Sequence, residues 1–347
     1  MVNHPHQPRR PKQHRRLQPL AEHRDVLWSL THVDQDPRSE GKLRERLSVP
    51  KESSGSSVSL EDVAAAVPSP QWFQLYPWGD RSTIEYLIGR AKQAGFAVMV
   101  VTVDVPVLGA RERDLRNGLT VPPKVGFRTG WDVLSHPRWL AGLTTHPRVS
   151  FANFEGITET SGGTSGLAAH TFSLLNPGHT WADLEWMVGA WGGPVALKGV
   201  MTAADARRAV DTGCQAVVVS NHGGRQADSL TASLHALEEV VAEVGEDVEV
   251  LLDGGVRRGS DVVKALALGA RACLVGRPWV YGLAAGGTSG VVRALRILGM
   301  EIDRTMALIG RPGVQSLDRS AVSWQTYSLD DRHGQTRPAK RSPSLGP

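Results

Sequence analysis

A histidine and an arginine stand three residues apart in VSNHGGRQ (219–226), directly after the apolar run AVVVS. An imidazole titrates near neutrality and can accept a proton at ordinary pH. A guanidinium fork matches a carboxylate with two parallel hydrogen bonds, which an ammonium cannot do. A loop that only reversed the chain would need neither His222 nor Arg225. Lys198 closes VALK, and an ammonium buried among such neighbours requires an anion. Arg111, in LGARERD, is a second candidate fork; its alternative is a solvated surface charge, the reading given to Arg113 and Arg116. Tyr76 adds a hydroxyl at the end of WFQLY.

These residues need a scaffold that brings strand ends together. Short apolar runs recur at WFQLY (72–76), AVMVVTVDV (97–105), PVALKGV (194–200), AVVVSN (216–221), VEVLLDGG (248–255) and RACLVGRP (271–278), most of them with a helix-like segment behind. They are continuous rather than alternating, as in strands buried on both faces, and the strand–helix rhythm predicts βαβ units on a parallel sheet. Thr202 and Ser260 are expected N-caps, with Gly213, Gly245 and Gly269 as helix stops. The polar residues fall at the C-terminal ends of the runs, where parallel barrels and doubly wound sheets both place ligands. Because six strands contribute, a barrel is preferred. RLSVPK (46–51) supplies a seventh strand, while residues 1–45 offer only DVLWSLTHV. The expected fold class is therefore α/β, a TIM (β/α)8 barrel incomplete at its first strand. Residues 120–180, with their prolines and SGGTSG, read as a long loop covering the site.

The overall charge of +4 conceals two basic tails: residues 1–16 carry +5 and 331–347 carry +3, leaving −4 to 17–330. Nucleic acid is not expected as a partner, because no basic stripe interleaved with aromatics occurs in the body. Cys214 and Cys273 begin apolar runs and offer neither a disulfide framework nor metal spacing. No apolar stretch reaches membrane-spanning length and the start lacks an apolar signal core. A cytoplasmic protein is expected, with contact at a membrane surface as the alternative. The expected organisation is a basic N-terminal segment (1–45), one barrel domain (46–330) and a tail (331–347).

SNHGGRQ, with LKGV upstream and LLDGGVRRGSDVVKALALGA downstream, resembles the FMN-dependent α-hydroxy acid dehydrogenases and oxidases, which include lactate and mandelate dehydrogenases and glycolate oxidase. The likeness runs from about Ser53 to Arg311. It implies oxidation of an L-2-hydroxy acid to a 2-keto acid: His222 removes a proton while two electrons reach the flavin, as hydride or through a carbanion. It implies Asp104 as the carboxylate paired with His222, Arg225 and Arg111 as the grip on the substrate carboxylate, and Tyr76 beside the substrate. Lys198 would face the flavin edge that gains negative charge on reduction, while Gln74, Thr102, Ser220 and Ser53 would bond the ring. Asp253 would meet the ribityl chain, and Gly254, Gly255, Arg257, Gly276 and Arg277 the phosphate. The implied partners are a small 2-hydroxy acid, an electron acceptor (oxygen, quinone or cytochrome) and further copies of the chain in a homo-oligomer.

The front of the chain departs from that pattern. The family's first strand ends in Pro-Thr-Ala and an early tyrosine meets the substrate; residues 1–45 contain neither, and no tyrosine precedes Tyr76. A frameshifted start and a genuine truncation both account for this. The competing readings of function are a degenerate barrel with weak or no catalysis and another phosphate-binding barrel enzyme.

Overall fold

The computed structural model describes residues 51–66, 69–117, 126–137, 141, 151–155, 174–227 and 229–324. The expected tails (1–45 and 331–347), RLSVP (46–50) and most of the 120–180 excursion lie outside them. Seven parallel strands form one curled sheet, a half-barrel: β1 (Lys51–Ser53), β2 (Trp72–Leu75), β3 (Val98–Thr102), β4 (Val195–Val200), β5 (Ala216–Val219), β6 (Glu249–Leu252) and β7 (Ala272–Cys273), in spatial order β1 to β7. Among the described residues no strand bridges β7 back to β1. Of the seventh strand expected at 46–51 only Lys51 is among the described residues, where it opens β1, and the last apolar run is strand for only two residues.

Helices cover one face: α1 (Leu60–Ala66), α2 (Arg81–Gln93), α5 (Trp181–Trp191), α6 (Ala203–Asp211), α7 (Ser233–Val244), α8 (Gly259–Ala267) and α9 (Arg277–Leu308). Two short helices, α3 (Glu112–Arg116) and α4 (Phe127–Ser135), follow β3. Their ends obey local chemistry. The Thr202 hydroxyl accepts from the Asp205 amide at 3.1 Å, as expected of an N-cap, and Asp80 accepts from the Thr83 amide at 2.8 Å. Ser260 is not a cap: α8 begins at Gly259, and the N-cap, two residues before Ser260, is Arg258, whose amide donates to Asp261. Glu301, reaching over from α9, accepts from the Gly259 amide at 2.8 Å and so binds this helix start from outside. Helix α9 starts at Arg277, inside the last apolar run, and breaks where Gly286 and Gly287 leave helical geometry.

Side-chain alternation along the strands sorts the two faces. Phe73, Leu75, Met99, Val101, Leu197, Val217, Val219 and Leu252 point to the helices and join one continuous apolar layer. Trp72, Val98, Val100, Ala196, Ala216, Val218 and Leu251 form a second, smaller cluster on the concave face. Each fully buried large side chain of the outer layer contributes about 1.5–3 kcal/mol by leaving water. The concave face becomes polar toward the C-terminal strand ends, and the site begins there.

Candidate active site

Register brings the polar residues together. Thr102 lies beside Lys198 across β3 and β4, and Ser53 beside Gln74 across β1 and β2. The Gln74 side-chain amide donates to the Thr102 hydroxyl at 2.8 Å, both buried. Lys198 is 4% exposed, and its ammonium lies 2.8 Å from Asp253 Oδ2, 2.9 Å from Ser220 Oγ and 3.9 Å from Asp104 Oδ2. Ser220, fully buried, is the junction. Its oxygen accepts from Lys198 and from the His222 amide (3.1 Å), and its single proton goes to Asp253 (2.7 Å) rather than Asp104 (3.5 Å).

His222 Nδ1 lies 3.0 Å from Asp104 Oδ1. The carboxylate fixes the ring orientation and leaves Nε2 as the atom free of that contact. His222 has φ +55°, the one non-glycine positive φ among the described residues, and Gly223 and Gly224 continue at +65° and +71°. The two glycines in HGG thus extend a left-handed turn that side chains resist, and the strained histidine sits at its head. Gly199 solves a second problem: a β-carbon there would fall 2.7 Å from Asp104 Cβ and 2.9 Å from its amide. Its absence, with a register shift between Lys198 and Val200, lets Asp104 settle beside Lys198.

Tyr76 stacks on Trp78 with ring centroids 5.0 Å apart and lies 6.5 Å from the His222 ring. Burial first, then the Asp104 charge, pushes its hydroxyl up to about 12, so it stays a neutral donor. Burial, followed by the charge of Arg225, pulls Arg111 below the usual guanidinium range. Its Nε is buried without a partner among the described residues. Two like charges held near each other, one with an unmatched N–H, are an arrangement that a carboxylate would relieve.

At the other end of the mouth, Gly254 and Gly255 follow β6 at φ +95° and +80°, with Asp253 before them. Nothing lies within 4 Å of a β-carbon placed on Gly255 or Gly276, so the backbone there is open to close approach. Arg277 is exposed at the start of α9 and donates to the Gly223 carbonyl, tying this end to the histidine turn. Arg257 is exposed, its backbone amide bonded to Asp261. Ser53 uses its hydroxyl on the Gly55 amide (3.2 Å), while the more deeply buried Ser54 accepts from the Tyr76 amide (3.1 Å). Sequence reasoning assigned no role to Gly199, Ser54 or Gln226. The lone glycine inside VALKGV was the available signal, since glycine within a strand marks a bulge or a close approach. Among the described residues no His/Cys/Asp/Glu group is arranged to hold a metal ion.

A parallel half-barrel with a histidine–carboxylate pair and a buried lysine at its strand ends is an architecture on which α/β-barrel oxidoreductases are built. The profile of the FMN-dependent dehydrogenase family matches residues 45–324, and the chain belongs to that family. It is 46% identical over 269 residues to the L-lactate oxidase of Nostoc sp., covering 76% of this chain and 68% of that protein. It is 41% identical over 275 residues to glycolate oxidase 2 of Oryza sativa subsp. indica, covering 78% and 68%. A Mycobacterium tuberculosis relative, 44% identical over 269 residues, is covered over 64% of its length. The chain thus spans about two thirds of the curated relatives it matches. Among solved structures, (S)-mandelate dehydrogenase, a monotopic membrane protein, superposes with a TM-score of 0.76 at 36% identity over 87% of this chain and 77% of that one.

FMN is the family's cofactor, and the donor set fits it. A buried ammonium, a side-chain amide and two hydroxyls stand together at the strand ends. A carboxylate, open glycine backbone and two arginines continue along the edge. No helix among the described residues is long and apolar enough to cross a membrane.

Proposed function

We propose that the protein oxidises an L-2-hydroxy acid of the lactate, mandelate or glycolate type to the 2-keto acid, and passes the electrons to oxygen, a quinone or a cytochrome. The contact that carries this reading is His222 Nδ1 to Asp104 Oδ1 at 3.0 Å, with the Lys198 ammonium 3.9 Å from the same carboxylate. Arg111 and Arg225 bind the substrate carboxylate, and Tyr76 donates to its polar end. His222 accepts a proton from the substrate at Nε2, and Asp104 stabilises the resulting imidazolium. Lys198, Gln74, Thr102, Ser220 and Ser53 hold the flavin ring, Asp253 the ribityl chain, and Gly254, Gly255, Arg257, Gly276 and Arg277 the phosphate. Bound FMN supplies the two-electron acceptor. Residues 46–330 form the catalytic unit, and the chain assembles with copies of itself.

Anaerobic addition of L-lactate, (S)-mandelate or glycolate to the FMN-loaded protein bleaches the flavin absorbance, and the D-lactate enantiomer does not. A protein that binds FMN but is bleached by none of them is a catalytically silent barrel. The protein resides in the cytoplasm and touches a lipid surface through α4. There Phe127, Trp131 and Leu134 follow helical spacing and are 91%, 70% and 66% exposed. Co-sedimentation with anionic vesicles that is lost in Trp131→Ser checks this.

A further inference from the structure

Gln226 closes the SNHGGRQ motif and belongs to no group of site residues described above. Its side chain lies between two loops. Its amide nitrogen donates to the Val107 carbonyl at 2.8 Å, and its amide oxygen accepts from Arg111 Nη2 at 3.2 Å. Only one orientation of the amide permits both bonds, because a carbonyl cannot donate and a guanidinium cannot accept. The two loops are also in backbone contact at Gly109. A β-carbon there would lie 2.7 Å from Gln226 Cα, and nearer still to the Arg225 carbonyl oxygen. Arg111 meanwhile sits partly desolvated against the like charge of Arg225, with its Nε buried and unmatched among the described residues. Left to itself, such a side chain would swing to water, since long charged side chains keep rotamer entropy and hydration there.

We infer that Gln226 is a positioning residue for substrate recognition. It holds Arg111 beside Arg225 before any anion arrives, so that a carboxylate meets a fork already formed. This rests on the reading of Arg111 and Arg225 as the carboxylate grip. A neutral amide suits the task. It occupies one N–H of the fork and brings no charge to compete with the ligand, and the tether to Val107 O keeps it from following Arg111 outward. Gly109 serves the same end by letting the loops close.

The test uses the FMN-loaded full chain and oxalate, a small carboxylate with no C–H to oxidise, titrated through its perturbation of the flavin spectrum. Gln226→Leu, of similar size but unable to bond, is expected to weaken oxalate binding and raise the KM of the hydroxy acid by about tenfold, with kcat within about twofold. FMN affinity and the melting midpoint are expected to be unchanged. Gln226→Glu keeps the bond to Arg111 but places a rival carboxylate in the fork, and is expected to raise KM further. In an Arg111→Lys background, Gln226→Leu is expected to add little, because both changes act on one interaction. In the cofactor-free chain, amide exchange across 105–111 is expected to speed up in Gln226→Leu. Oxalate affinity in Gln226→Leu equal to wild type, or a loss of the same factor with and without Arg111, overturns the inference while the site reading stands. A wild-type protein that holds FMN but shows no oxalate perturbation overturns the site reading and the inference together.

Discussion

On the helix-covered face of the sheet, Phe73, Met99, Leu197, Val217 and Leu252 lie in one continuous apolar layer. On the concave face the same strands contribute a thinner cluster of Trp72, Val98, Val100, Ala196, Ala216, Val218 and Leu251, and beyond it Gln74, Thr102, Lys198 and Ser220. Residues adjacent in sequence, such as Leu197 and Lys198 or Val219 and Ser220, serve opposite faces. The outer face holds the fold, and the inner face spends part of that stability on buried charge and a left-handed histidine. The two faces should therefore fail in different ways.

The largest effect is expected on the inner face. His222→Asn removes the proton acceptor, and turnover should fall by about 100- to 10,000-fold. FMN binding and the melting midpoint should change little, because the ring's bond is to Asp104 at the mouth and His222 is not part of the outer layer. Steady-state rates beside a flavin titration check this; loss of FMN together with activity would show that the two faces are not separable here. Next comes the outer face. Phe73 is fully buried and meets Phe96 edge-on at 6.0 Å. Phe73→Ala should cost about 3–5 kcal/mol of stability in urea unfolding. The FMN-loaded molecules that remain folded should keep wild-type turnover.

A third variant sits where the faces meet. Lys198→Met keeps the stem that packs at the end of β4 and removes the ammonium between Asp253 and Ser220. Hydrogen bonds to charged groups are each worth about 1.5–3 kcal/mol, so FMN affinity should fall by about 10- to 100-fold, read by fluorescence quenching. Stability should drop less than in Phe73→Ala. Equal stability losses in both variants would mean that Lys198 is structural first.

How much of this could be read from the sequence also divides along the faces. The Val- and Leu-rich runs announced parallel strands because both faces of β3 to β6 are buried, and the polar residues that end them announced the mouth. RACLVGRP looked as strong as the others yet gives a two-residue strand, which among the described residues pairs with β6 alone. Ser260 has cap chemistry but lies inside α8, where Arg258 and Glu301 provide the helix start instead; a tertiary contact from α9 decided that, and no local pattern contains it. The serine series SSGSSVS could not tell Ser53 from Ser54, because the choice depends on which one meets the Tyr76 amide across two strands. Gln226 was visible only as the last letter of a motif, since its partners stand 115 and 119 residues away.

The smallest effect expected is at high pH, and it separates the faces by the pH at which each begins to fail. Burial pushes the Cys214 and Cys273 thiols, both in the outer layer, up to about 12 from 9.0, and the Tyr76 hydroxyl, at the inner mouth, up to about 12 from 10.0. In each case the folded protein holds its proton to a higher pH than the unfolded chain. Stability from these groups is therefore complete below the unfolded value, and it declines as pH rises toward 12, because the native state then binds more protons than the unfolded one. The decline should open near pH 9 with the thiols and steepen near pH 10 as the tyrosine joins. Replacing both cysteines by alanine should leave a curve that is flatter between pH 9 and 10 than wild type, while Tyr76→Phe should flatten only the part above 10. Urea midpoints followed across this range under reducing conditions read both. If Tyr76→Phe removed the decline from pH 9 upward, the outer-face thiols would have no share in it.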